Sequence, residues 1–156
     1  MPASSQILSV SGSRATGRRQ AGRWATVGRL ALAVYFLLMA GVNIGITLPN
    51  GAATYDGLAQ LSWPHVAQIP ELISAFAVPF TIALIAWEIA LGLLLLSRGR
   101  AVRVALWGAL FQMVALAPFL GWYEVANLAT AVLVAALLTR DHDRSALDIL
   151  HLRRTH

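Results

Sequence analysis

In the run TIALIAWEIALGLLLLSRGR, residues 81 to 100, Glu88 is a carboxyl group inside a stretch that is otherwise almost entirely apolar. Three kinds of chemistry suit such a group: exchange of a proton, contact with a quinone headgroup, or a hydrogen-bonded tie between helices. A carboxylate at a bilayer centre costs about 2.5 to 3.5 kcal/mol on insertion scales, so a partner, water or a bound proton must compensate it. Desolvation favours the protonated form, in which the side chain is a neutral donor. Gln112 is the expected partner. Counted at about 1.5 Å per residue from the flanking arginines, both residues lie roughly 15 Å deep.

The same counting places a second polar set, Asn43, Glu124 and Asn127, near the outer surface. Trp63 and His65 lie in the apolar stretch LAQLSWPHVAQI between the first two spans. Together the five residues form a candidate pocket for a quinone headgroup or another ligand, because polar groups from two spans and an aromatic loop converge there. In RDHDR the side chains of Asp141, His142 and Asp143 diverge, and Asp148 with His151 supplies only two ligands, so no metal is expected. The chain has no cysteine, which excludes thiol–disulfide chemistry. None of its four histidines falls within a span, so a haem held by paired histidines is not expected. There is no glycine-rich phosphate loop and no Ser-His-Asp set that the topology brings together. The chain is therefore expected to be no catalyst alone, and any redox role belongs to a partner or a bound quinone.

These groups need elements that hold them in lipid. With 58% hydrophobic residues, 12% charged residues and a mean hydropathy of +0.66, the chain is too apolar for an ordinary soluble domain. About 20 apolar residues cross a bilayer as a helix. Four runs approach or exceed that length, roughly 26–48, 74–97, 103–121 and 123–139. All twelve basic residues are arginine, and they cluster up to the start of the first run (the last at Arg29), around the turn from the second run into the third (Arg98, Arg100, Arg103), and after the fourth. The segment 49–75 has none. By the positive-inside rule the expectation is an all-α, four-transmembrane-helix bundle with both termini cytoplasmic.

Trp24, Trp63, Trp122 and Tyr123 fall where an interfacial aromatic belt belongs. Residues 1–25, rich in serine and arginine, read as a disordered basic tail near anionic lipid, and residues 140–156 as a cytoplasmic amphipathic tail. The net charge of +5 thus points to the membrane surface, and no base-reading motif suggests nucleic acid. Pro70 is expected as a first helical residue, and Pro79 and Pro118 as kinks in the second and third spans.

At about 100° per residue, polar and small residues fall on one face of each span. They are Arg29, Phe36, Ala40, Asn43 and Thr47 on the first; Ala77, Thr81, Glu88 and Gly92 on the second; Ala105, Gly108, Gln112 and Ala115 on the third; and Glu124, Asn127, Ala131 and Ala135 on the fourth. Small residues let backbones approach and polar ones bond across, so these faces are expected inward.

The segment WEIALGLLLLSRGRAVRVAL resembles the second-span signature of the DoxX family: a glutamate, a glycine four residues on, a leucine run, then an arginine-containing turn into the third helix. Arg29 at the start of the first span and the tail RSALDIL are also similar. The resemblance covers roughly residues 26–150. It implies a multi-pass protein of the bacterial plasma membrane, a four-helix bundle akin to the membrane subunit of thiosulfate:quinone oxidoreductase, working beside a soluble or membrane redox protein. In GVNIGITL, Asn43 stands where the family carries a glycine-and-lysine cluster, which removes the positive charge a thiosulfate anion wants. The expected role is a non-catalytic or quinone-associated membrane subunit of a redox system. A small proton-coupled transporter and a structural anchor or assembly factor are the alternatives.

Overall fold

A computed structural model describes residues 7–119, 124–140 and 142, and all regular structure among them is helical. Helix α1 (Ile7–Val42) runs on through a π turn (Asn43–Thr47) into a short α2 (Leu48–Asn50). Helices α3 (Ala52–Leu61) and α4 (Gln68–Ser74) follow, then α5 (Ala77–Leu96), α6 (Arg100–Leu116) and α7 (Glu124–Leu138). A 3₁₀ turn (Ala117–Phe119) ends α6.

Three stretches are long and apolar enough to cross a bilayer: Trp24–Asn50 with 27 residues, Ala77–Leu96 with 20 and Arg100–Phe119 with 20. Helix α7, on the expected fourth span, has 15 residues, or about 22 Å of rise. Trp122, Tyr123, Asp141, Asp143, Asp148, His151 and the tail RSALDIL lie outside the described residues, as does the side chain of Glu124.

Several local expectations change. Helix α1 begins at Ile7, within the tail expected to lack structure; residues 7–25 hold no proline, and their four arginines and three alanines are strong helix formers. The segment between the first two long helices, expected as an outer loop, folds as a helical hairpin, α3 and α4. Pro70 is the third residue of α4, and Pro79 is the third of α5. In a first turn the missing N–H has no intrahelical partner to lose, so Pro79 starts its helix without kinking it. Pro118 sits in the 3₁₀ turn, and its carbonyl accepts the Trp63 N–H at 3.0 Å, which stitches the hairpin to the end of α6.

The chain reverses at two glycines in backbone conformations that side chains rarely adopt, Gly51 (φ 50°) before α3 and Gly99 (φ 63°) before α6. Between spans, contact is close. A Cβ on Gly92 would lie 2.8 Å from Leu37 Cγ, and one on Gly108 would lie 2.9 Å from Leu91 Cδ2. Large apolar side chains cover the outside instead, among them Trp107, Phe111, Val114 and Val132. A carboxyl group inside and an apolar exterior suit a lipid solvent.

The interior is divided along its length. Leu32, Ala33, Phe36, Leu91, Leu95, Val102, Ala105, Leu106 and Ala109 form one apolar core with Val134 and Leu137. On α1, α5 and α6 these positions lie between the level of Glu88 and the arginine-bearing end. Toward the hairpin the apolar core continues in Met113, and the buried residues there that carry polar groups include Asn43, Thr47, Tyr55, Thr81 and Asn127.

All nine inward positions expected on the first two spans are buried. On α6 and α7 the expected face holds in part: Ala105 and Asn127 are buried and Gly108, Gln112 and Ala131 half-buried, whereas Ala115 and Ala135 are exposed and Val102, Leu106, Val134 and Leu137 also fill the core. Larger side chains remove more surface from a shared interior than alanine does, so they take the inner face.

Candidate functional site

Glu88 is 2% exposed, and each of its oxygens accepts a neutral amide N–H. Asn43 Nδ2 donates to Oε2 at 2.8 Å, and Gln112 Nε2 donates to Oε1 at 3.4 Å. Both amides are themselves oriented by a further donor. Thr47 Oγ1 donates to Asn43 Oδ1 at 2.7 Å, and Trp87 Nε1 donates to Gln112 Oε1 at 2.9 Å. With each amide oxygen engaged, each NH₂ is turned to the carboxyl group. α1 and its π turn, α5, and α6 therefore meet on one acid.

The π turn places Thr47 over Asn43. Its i→i+5 bond, from the Leu48 N–H to the Asn43 carbonyl, widens the helix here, and both side chains stay buried on the α5 side. Gly45 lies opposite, with open space around its Cα. Such turns inside α-helices occur frequently at functional sites.

A second pair lies nearer the hairpin. Tyr55 of α3 and Thr81 of α5 share a hydrogen bond of 2.7 Å between hydroxyls, and Thr81 Oγ1 is also 2.7 Å from the Ala77 carbonyl. Tyr55 is 4% exposed and packs edge-on against Phe80. Burial pushes the Tyr55 phenol up from its ordinary value, the bond to Thr81 opposes this, and the charge of Glu88 adds to it.

At the other end, Arg29 Nη2 donates to the carbonyls of Leu95 at 3.0 Å and Ser97 at 2.6 Å, and Nε donates to Leu95 at 3.3 Å. A guanidinium on the last carbonyls of α5 satisfies orphan acceptors and complements the helix dipole.

The candidate outer pocket is distributed differently. Asn43 bonds Glu88 and so belongs to the mid-span cluster. Buried Asn127 donates to the Met113 carbonyl at 2.8 Å, tying α7 to α6. Trp63 and His65 are exposed, with ring centroids 6.0 Å apart. Among the described residues, no group of three or more His, Cys, Asp or Glu could hold a metal.

Sequence reasoning does not single out Tyr55 or Trp87. The available signal for Tyr55 is the burial of an amphipathic aromatic that must place its hydroxyl on a partner, and the partner comes from another helix. No protein-family model, characterised protein or solved structure matches the chain.

Proposed function

We propose that this is a DoxX-like four-span protein of a bacterial plasma membrane, serving as the quinone-associated membrane subunit of a redox system. Both termini lie on the cytoplasmic side in this reading, with α7 as the fourth span. The observation that carries it is Glu88: a mid-span acid held between two neutral amides, beside a π turn, with no cation among its hydrogen-bond partners. A salt bridge would lock such an acid in its charged form. Neutral donors leave it free to take up and release a proton, which is what quinone reduction requires beside the headgroup. Asn43 and Glu88 together offer an N–H and an exchangeable proton to a quinone carbonyl.

Quinone analysis of the purified protein tests this, with Glu88→Gln and Asn43→Leu as variants. Co-purifying quinone that both variants lose, with folding intact, is the expected result. Absence of quinone from the wild type moves the reading to a structural anchor. A specific observation favours that second reading: Asn43, Gln112 and Asn127 already bond within the protein and need no ligand to satisfy them.

A further inference from the structure

We infer that Glu88 exchanges its proton with one face of the bundle only, the face carrying α3 and α4, by way of the hydroxyls of Thr47, Thr81 and Tyr55. The inference rests on the bilayer-spanning part of the proposed function and not on the quinone.

Two halves of the interior carry the argument. On the hairpin side of Glu88, hydroxyl and amide groups continue outward: Asn43 bonds Glu88, Thr47 bonds Asn43, and Tyr55 bonds Thr81. Thr81 lies seven residues before Glu88 on the same face of α5, about 10 Å along the axis. Thr47 lies four residues beyond Asn43, so its hydroxyl falls within that interval. Just beyond Tyr55, Asp56, Ala59, Gln60 and Glu71 line an open depression. Two acids at its rim concentrate protons at the mouth of this path.

On the other side the path stops. Leu91 and Leu95 on α5, Leu32 and Phe36 on α1, and Val102 and Leu106 on α6 are each no more than 2% exposed. Gly92 is where α1 and α5 come so close that an added Cβ would meet Leu37. A proton leaving toward the arginines would have to cross an apolar plug whose buried side chains carry no donor or acceptor; the Tyr35 hydroxyl at this level belongs to a 39% exposed side chain outside that plug. The groups electrostatically coupled to Glu88 are Tyr35 on α1 and Tyr55 on α3; α6 presents the neutral Gln112. Arg29 is committed to the carbonyls at the far end of α5.

The step balances simply. Protonated Glu88 gives its proton to water bridging it to the nearest hydroxyls, since its own bonds are to amide N–H groups that cannot accept one; each hydroxyl or bridging water accepts one proton as it passes one on, and bulk water at the hairpin receives the last. The carboxylate left behind keeps the N–H groups of Asn43 and Gln112.

Infrared spectroscopy of proteoliposomes tests this. The protonated-acid C=O band absent from Glu88→Gln is the readout, and orientation is fixed by labelling a Gly57→Cys variant, since the chain has no other cysteine. The band is expected to follow the pH on the hairpin face while the other face is held constant. Tyr55→Phe and Thr81→Val, both checked for an intact fold by helical content and unchanged labelling of Gly57→Cys, should each slow that response by about tenfold or more. A band that follows the arginine face equally well, no titrating band between pH 4 and 10 (roughly the span over which a buried acid titrates), or wild-type rates in both variants overturns the inference. Sidedness without co-purifying quinone overturns the redox reading alone.

Discussion

Glu88 has two hydrogen bonds to lose, and substitutions separate them. Glutamine keeps an oxygen for Asn43 and shape for the site, whereas leucine leaves the N–H groups of both Asn43 and Gln112 without an acceptor. At about 0.6 to 2 kcal/mol per cross-helix contact, Glu88→Leu is expected to cost roughly 1 to 4 kcal/mol and Glu88→Gln about half of that. Unfolding in detergent measures both, and equal midpoints would remove Glu88 from the polar core. Tyr55 gives a pH dependence. Its folded-state value is raised, so its contribution is complete below the ordinary phenol range and lost as pH climbs through the raised value. Stability should therefore fall in the alkaline limb, and Tyr55→Phe should flatten that limb. The inward positions of Glu88, Asn43 and Arg29 are legible because a polar side chain in an apolar run has nowhere else to go. The Asn43–Glu88 bond is not legible. Counting depth from Arg29 and Arg98 puts Asn43 four residues, about 6 Å, farther out than Glu88, a gap that the two side chains close by reaching across the α1–α5 contact.

Among the elements, α1 and α5 are held by proximity. Gly92→Ala places a methyl 2.8 Å from Leu37 Cγ and 3.3 Å from the Ala33 carbonyl, and the backbone oxygen cannot swing aside. The expected loss is about 1 to 3 kcal/mol. Gly41→Ala meets nothing within 4 Å and should stabilise α1 by up to about 1 kcal/mol. Thermal unfolding of the pair distinguishes interhelical crowding from a general effect of removing glycine. The long helices are legible from hydropathy. The hairpin is obscured by LPNGAATYDG, whose Asn-Gly and Asp-Gly pairs signal turns, although only Gly51 reverses the chain and Gly57 lies inside α3. Helices as short as α3 and α4 are marginal alone. They persist through contacts that no local window contains: Tyr55 on Thr81 and Trp63 on the Pro118 carbonyl.

For the whole molecule, the distribution of arginines predicts which segments share a side. Single cysteines at Gln20, Gly57, Arg100 and Ser145, introduced into a chain with none, should react with an impermeant reagent from outside only at position 57. Labelling at 100 from outside would break the four-span arrangement and with it the role of α7. The hairpin's placement above the bundle depends on one further detail, the π turn. A π turn carries one more residue than the α turn it replaces, so every residue beyond it sits where its predecessor would sit in an uninterrupted helix, about 100° behind. That lag sets the azimuth at which α2 and Gly51 hand the chain to α3, and therefore whether Tyr55 arrives over Thr81 or over lipid. Deleting Gly45, where an added Cβ would meet nothing within 4 Å, should restore a regular helix and leave Tyr55 over Thr81, because the surplus residue and the turn that absorbs it leave together. The first span thus swallows an extra residue locally, and a chain one residue shorter would carry the same acid under the same cap.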